Sequence, residues 1–336
     1  MSNSRRFILL TIIGVQSICC WSTANAQDGG ATVAVEEKWS NLFANKETEL
    51  HLTIQSQAGF NGSIAWSFAV GRATLARKEA AVAVQAGRST KTAIRLPIPE
   101  VRDGVALEAH LIATVTATGQ NQPAARFEKK YWIFPADPFA DRQAWAKGLS
   151  VTLLDPAGKT GEVLKKAGVP FEEIRDAEAG RRKGILLIGE GVSFREERGL
   201  AESLIKAAAA GATVICLAPQ DGAFPLPGAG KLNGLQPSML SLDRGGAISR
   251  IDKRLDLDLW SGNVSAISSG FRLIGEGESV QADVNPGGEG WAWLDVRYPN
   301  RGRLVVCGFG VMRHWEASPT PRFLLMRLLE SVIEKN

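Results

Sequence analysis

The sequence predicts two folded domains in succession, an antiparallel β-sandwich and then a doubly wound α/β domain with a parallel sheet. Three observations carry this. Apolar and polar residues alternate through residues 31–134. Short runs that are apolar at every position, such as Ile185–Ile188 and Thr213–Ala218, alternate with helical patterns after residue 149. A Pro-punctuated stretch, Pro135-Ala-Asp-Pro-Phe-Ala-Asp141, stands between the two regimes.

The first 26 residues have the layout of an export signal. Arg5 and Arg6 form a basic start, Phe7 to Trp21 an apolar core too short to span a bilayer comfortably, and Ala24-Asn25-Ala26 an A-x-A cleavage site. Cleavage is expected after Ala26, leaving no transmembrane segment and a periplasmic or extracellular location. The formal charge is +4, of which Arg5 and Arg6 supply two, so the mature chain is close to neutral. No basic run is interleaved with aromatics, which disfavours nucleic acid as a partner.

Residues 27–134 form the expected sandwich. Glu49–Gln55, Gly62–Ala69, Ala80–Gln85, Lys91–Leu96, Leu107–Thr118 and Ala125–Phe134 each alternate with period two, separated by Gly, Asn and Pro. Six or seven such strands in about a hundred residues fit an immunoglobulin-like architecture, with Trp66 in its core. Residues 135–148 read as a linker.

From residue 149 to 336 the elements alternate. The order is a strand at Leu149–Leu154, a helix at Thr160–Ala167 and a short strand at Pro170–Ile174. A strand at Gly184–Gly189 and an Ala-rich helix at Arg195–Ala210 follow, the helix closed by Gly211. Thr213–Ala218 is a strand and Arg322–Glu334 the final helix. Fully apolar strands imply a parallel sheet covered on both faces. Residues 219–301 read as an irregular, Gly-rich insertion ending in a hairpin of Trp291–Val296 and Arg303–Cys307.

Candidate chemistry gathers where strands end, because a strand's last residues are rigid and the following loop is exposed. His314 and Glu316 lie beyond the strand Arg303–Cys307, and Glu190 lies in the Gly189-Glu-Gly191 turn after Ile185–Ile188. Backbone amides at such a turn can hold an anion; a tight turn without a ligand is the plainer alternative. Asp155, Asp176 and Asp221 also fall near strand ends, but nothing selects a pair spaced as glycosidases need, about 5–9 Å. Trp291, Trp293 and Trp315 could stack on sugars, but in most domains such tryptophans pack a core or an interdomain contact. Cys216 and Cys307 sit in apolar runs as buried thiols, or else as a disulfide between neighbouring strands. The three histidines are far apart and no residue cluster calls for a metal or cofactor.

The strand Gly302–Cys307 running into His314-Trp-Glu316, with a terminal helix behind it, resembles the class I glutamine amidotransferase-like fold, whose last strand leads to His-Pro-Glu. The resemblance implies that His314 and Glu316 would assist a cysteine nucleophile at a sharp turn after the strand Gly211–Gln220. In register, that position is Ala218, and Cys216 comes two residues early. The order of signal, sandwich and α/β domain is similar to the C-terminal parts of large exported glycoside hydrolases. The phrases that carry it are Ser150–Thr160, Ala209–Ile215, Gly302–Cys307 and Thr320–Leu325. There is no room for a (β/α)8 barrel. The resemblance therefore implies an accessory, non-catalytic binding protein, with a polysaccharide or an envelope protein as partner. The alternative is a glycosidase-related hydrolase using strand-end acids with His314.

Overall fold

The computed structural model describes residues 25–26, 30–176, 184–227, 236–243, 246–258, 270–274, 282–283 and 292–333. It is a mixed α/β protein in two compact units that divide between Pro138 and Phe139, with Ser318–Thr320 grouped with the first. The signal-like residues 1–24 and Trp291 lie outside the described residues.

The first unit is built from β1 (Asn25–Ala26), β2 (Ala31–Val35), β3 (Asn41–Phe43), β4 (Thr48–Ser56), β5 (Phe60–Val70), β6 (Ala73–Val84), β7 (Arg88–Leu96), β8 (Leu107–Ala117) and β9 (Ala125–Phe134). One sheet has the order β1-β9-β8-β5-β6, with β3 also on β9; the other is β2-β4-β7. All pairings are antiparallel except β3 with β9. The alternation sends every second side chain inward, so Leu50, Leu52 and Ile54 of one sheet share a core with Ile64, Trp66, Phe68, Leu111 and Val115 of the other. Trp66 is a core residue, as its pattern suggested. The β5–β6 ribbon is longer than expected and shifts register between Phe68 and Ala69.

The stretch expected to be a linker over residues 135–148 is structured instead. Phe139 is fully buried, stacks at 6.4 Å on Trp145, and leads through a 3-10 turn into α1 (Gln143–Gly148). An apolar aromatic just beyond the division at Pro138 needs a core, and Phe139 finds one.

The second unit continues with β10 (Val151–Leu154), α2 (Lys159–Lys166), β11 (Glu172–Ile174), β12 (Ile185–Ile188), α3 (Leu200–Ala209), β13 (Thr213–Leu217), β14 (Asp221–Pro225), β15 (Met239–Asp243), α4 (Gly246–Ile251), β16 (Gly270–Ile274), β17 (Ala282–Asp283), β18 (Trp293–Arg297), β19 (Arg303–Cys307) and α5 (Pro319–Ile333). Seven strands form one sheet, β11-β10-β12-β13-β19-β18-β15. The first five are paired in parallel, β18 is antiparallel to β19, and β15 is antiparallel to β18. Every residue of β10, β12 and β13 is buried, so both faces of the sheet centre are covered.

Three sequence expectations change here. The Ala-rich helix starts at Leu200 rather than Arg195, because Gly199 takes a left-handed φ of 80° just before it. Its end is as expected, with Gly211 at φ 105°. The terminal helix starts three residues earlier than predicted, at Pro319, where proline's missing N–H costs nothing, and Ser318 Oγ accepts the Thr320 amide at 3.2 Å. The described residues between 219 and 301 form strands that the expected irregular insertion did not include. They contribute β15 to the main sheet and build a small sheet of β14-β16-β17. The hairpin closes as expected, with β18 antiparallel to β19.

Candidate functional site

Asp155, Glu190, Ala218 and the loop that carries His314 follow the carboxyl ends of β10, β12, β13 and β19. The strand order places Asp155 just past β10 and Gly189-Glu190-Gly191 just past β12, where connections leave toward opposite sides of the sheet. Strands of four or five residues bring these polar ends to one level, because β10, β12, β13 and β19 are aligned residue against residue.

Glu190 is the centre of this region and is 7% exposed. One carboxylate oxygen, Oε2, accepts the Met312 amide at 2.6 Å, and Oε1 accepts the Arg313 amide at 3.2 Å. The Arg313 guanidinium Nε lies 3.5 Å from Oε1. Burial pushes the Glu190 carboxyl above its usual range, against the lowering effect of the Met312 amide and the Arg313 charge. Glu190 therefore acts as a clasp on the loop after β19.

The turn that carries Glu190 is closed to an anion. Its three amides are all used internally: Gly189 donates to Leu154 O at 2.8 Å, Glu190 to Thr160 Oγ1 at 2.9 Å, and Gly191 to Ala218 O at 2.9 Å. Gly189 is required by close approach, since a Cβ there would run into the Asp155 carboxylate. Asp155 itself is buried and accepts the Gly161 amide at 2.8 Å, tying β10 to the start of α2. The anion-holding alternative for this turn is thus replaced by a tight turn without free donors.

The position resembling a nucleophile site holds Ala218, which is 1% exposed and donates its amide to Cys307 O at 2.6 Å. Beyond it the backbone of residues 191–194 runs along residues 218–221, with Gln220 donating to Val192 O at 2.9 Å and Phe194 to Asp221 O at 3.1 Å. Ser193 Oγ bonds the Asp221 carboxylate. The mouth between β12 and β13 is sealed by main chain.

His314 and Glu316, which the resemblance implies would assist a nucleophile, share no hydrogen bond among the described residues. The Glu316 side chain is 82% exposed and is engaged by Arg322. The His314 Nε2 is buried with no hydrogen-bond partner among the described residues. Burial, and then the charge of Arg313, holds its pKa below the usual imidazole value. Glu190 is brought close to this loop, but through backbone amides rather than the imidazole. Asp176 is exposed and Asp221 is part-buried.

Of the two readings of the tryptophans, Trp293 and Trp315 take the packed one. Trp293 is 4% and Trp315 8% exposed, so neither offers an open ring face for a sugar. Trp293 faces Cys307 across the β18–β19 ladder, and Arg322 covers Trp315 with its guanidinium 5.7 Å from the ring centroid and its Nε on Trp315 O at 2.7 Å. Trp291 lies outside the described residues. Cys216 and Cys307 are both free and fully buried. Cys216 pairs in register with Val306, and Cys307 with Leu217, so the two thiols point to opposite faces of the sheet and cannot bond to each other. Burial raises both thiols, Cys307 to about 12.

Sequence reasoning missed the clasp. The only signal for it was an acid between two glycines at a strand end, and its partners are backbone amides 122 and 123 residues away.

No family model matches the chain and no curated protein is significantly similar to it. Among solved structures, the sporulation control protein Spo0M of Bacillus subtilis is similar at 15% identity and TM-score 0.24, over 35% of this chain and 54% of that one. The C-terminal domain of Wzt is similar at 12% identity and TM-score 0.26, over 34% of this chain and 77% of that one. A β-glucosidase of Listeria innocua is similar at 12% identity and TM-score 0.23, over 32% of this chain and 16% of that one. The chain thus spans about half of Spo0M and a sixth of the glucosidase.

Proposed function

We propose that the protein is an exported, non-catalytic binding protein of the cell envelope. In this reading its first unit is an immunoglobulin-like sandwich and its second a doubly wound, amidotransferase-like domain without a nucleophile. The observation that carries the reading is the use of Glu190. A carboxylate at a strand end that served as base or nucleophile would need access to a substrate; here both oxygens accept loop amides. A covalent cycle also needs a nucleophile within about 2.6–3.2 Å of its base, and the side chain at position 218 is a methyl group. The two-sheet core and the parallel strand order support the fold assignment. The basic, apolar and A-x-A segments before Gln27 support export.

Two measurements test this. The purified protein, incubated with glutamine and with chromogenic glycosides, is expected to release neither ammonia nor aglycone above the buffer rate. Turnover that disappears in His314→Ala or Glu190→Gln would overturn the non-catalytic reading. N-terminal sequencing of the protein from an envelope fraction is expected to begin at Gln27; a cytoplasmic chain retaining Met1 would overturn the export reading.

A further inference from the structure

The edge of the seven-stranded sheet carries charge where a covered sheet face ordinarily carries hydrocarbon. One face of β15, β18 and β19 sends Leu240, Leu242, Leu294, Val296 and Leu304 into the apolar core. Period-two alternation puts Ser241, Asp295, Arg297 and Arg303 on the other face, with Ser241 opposite Asp295 and Arg297 opposite Arg303. That face is the floor of a cleft of about 900 Å³, to which α4 and α5 also contribute lining. The size falls within the range of about 300–1,000 Å³ typical of small-molecule sites.

Six cationic side chains line it: Arg250, Lys253, Arg254, Arg297, Arg303 and Arg327. Among the described residues three carboxylates do, and each is already engaged. Asp295 is gripped by the Arg303 fork, from Nε at 2.9 Å and Nη2 at 2.7 Å. Asp252 is gripped by the Arg254 fork at 2.9 and 2.6 Å and also accepts Arg327 Nε at 3.1 Å. Glu330 accepts Arg327 Nη1 at 2.7 Å and pairs with Arg142. Arg250 is held by Asp243.

The surplus falls on two residues. Arg297 comes no nearer than 3.7 Å to Asp295, which Arg303 already occupies, and its Nε is buried with no hydrogen-bond partner among the described residues. It also stands directly across the ladder from Arg303, and like charges so placed repel. Lys253 is exposed and has no ion pair among the described residues. At the same cleft stands Met239, 41% exposed, the large exposed hydrophobic side chain among the described residues. A frame of satisfied arginines around two uncompensated cations, beside an exposed apolar side chain, suits an organic oxyanion. Guanidinium forks complement phosphate and carboxylate oxygens.

We infer that this cleft binds an organic anion through a phosphate or carboxylate group seated between Arg297 and Lys253, with its carbon skeleton against Met239. Arg303, Arg254 and Arg327 position the site; their donors are spent on Asp295, Asp252 and Glu330. This site is separate from the strand-end region, and the inference does not depend on the absence of catalysis.

The test is calorimetric titration of the full chain with inorganic phosphate and with citrate, alongside co-sedimentation with phosphatidylglycerol vesicles. Saturable uptake of phosphate or citrate is expected, weakened roughly tenfold or more in Arg297→Gln and in Lys253→Gln, since each removes a charge-assisted contact. Vesicle retention that phosphate displaces and Arg297→Gln abolishes would identify the anion as a lipid headgroup; uptake of free anion without retention would identify a soluble ligand. Lys253 is exposed, so its variant keeps the test alive should Arg297→Gln fail to fold. No saturable uptake, or uptake unchanged by both substitutions, overturns the inference and leaves the non-catalytic reading to its own assay.

Discussion

The Glu190 carboxylate accepts the amide hydrogen of Met312 at 2.6 Å, joining the turn after β12 to the loop after β19 across 122 residues of sequence. Two parallel strands, β12 and β19, flank β13 without touching each other. The clasp therefore closes over the end of the central strand and fixes the loop that carries His314.

Removing that carboxylate should cost the fold, not a reaction. Glu190→Ala leaves the amides of Met312 and Arg313 without an acceptor in a buried place, a loss of roughly 2–4 kcal/mol. Glu190→Gln keeps one acceptor oxygen and should cost less. Urea denaturation of the three proteins checks the order.

The same residue sets a pH dependence. Its folded pKa is raised above the usual 4.5, chiefly by burial. Across the interval from 4.5 up to the folded value, the native state holds the proton more tightly than the unfolded chain. Stability contributed by this group should therefore fall as pH rises through that interval. Denaturation at a series of pH values should show the slope in the parent protein and its loss in Glu190→Gln.

The strands were legible because their signal is local. The alternation of Glu49–Gln55 and of Leu107–Thr118, and the unbroken apolar runs at Ile185–Ile188 and Thr213–Leu217, state how many faces of each strand are covered. What was illegible is non-local or lacks a period. The Glu190 clasp pairs a side chain with backbone amides, which leave no mark in the sequence. The strands β14 and β15 come from Gly- and Pro-rich segments whose pairing partners lie far along the chain. In β18, Asp295 and Arg297 alternate with Leu294 and Val296 as in any half-exposed strand. Only the placement of α4 and α5 turns that polar face into the floor of a cleft.

Two histidines should titrate in opposite directions. His51 donates from Nδ1 to Glu37 Oε1 at 2.8 Å, and this hydrogen bond raises its pKa above 6.5. Burial, followed by the Arg313 charge, lowers that of His314 below 6.5. By linkage, the His314 contribution to stability is present above pH 6.5 and is lost as pH falls through its folded value; the His51 contribution is present below 6.5 and is lost as pH rises through its own. The His51 side chain is half-exposed to solvent, so its share is small. Imidazole NMR shifts, assigned with His51→Gln and His314→Gln, should give midpoints on either side of 6.5. A His314 midpoint above that of His51 would refute the placement of its ring.

Cys216 and Cys307 should stay reduced and unreactive in the native protein. Each is fully buried, on opposite faces of adjacent strands, and burial holds both thiols far from ionisation at neutral pH. A thiol reagent should label neither in buffer and both in denaturant. Rapid native labelling of Cys216, or the absence of a second thiol after denaturation without reductant, would contradict this arrangement.

Trp293 should matter for stability rather than as a platform for sugars. Its ring is 4% exposed and lies on the face of β18 that meets Cys307 of β19 and Asp243 of β15 in register. Truncating a buried aromatic removes its transfer free energy and leaves a cavity, so Trp293→Ala should cost roughly 3–5 kcal/mol. The ring also lines the wall of the cationic cleft, so the cavity would open into that space and partial filling by water would place the cost toward the lower end. Thermal and urea denaturation measure the loss, and a polysaccharide binding screen run on the same variant separates the two readings. Unchanged stability together with lost polysaccharide binding would show that the indole serves a ligand and not the packing of the sheet edge.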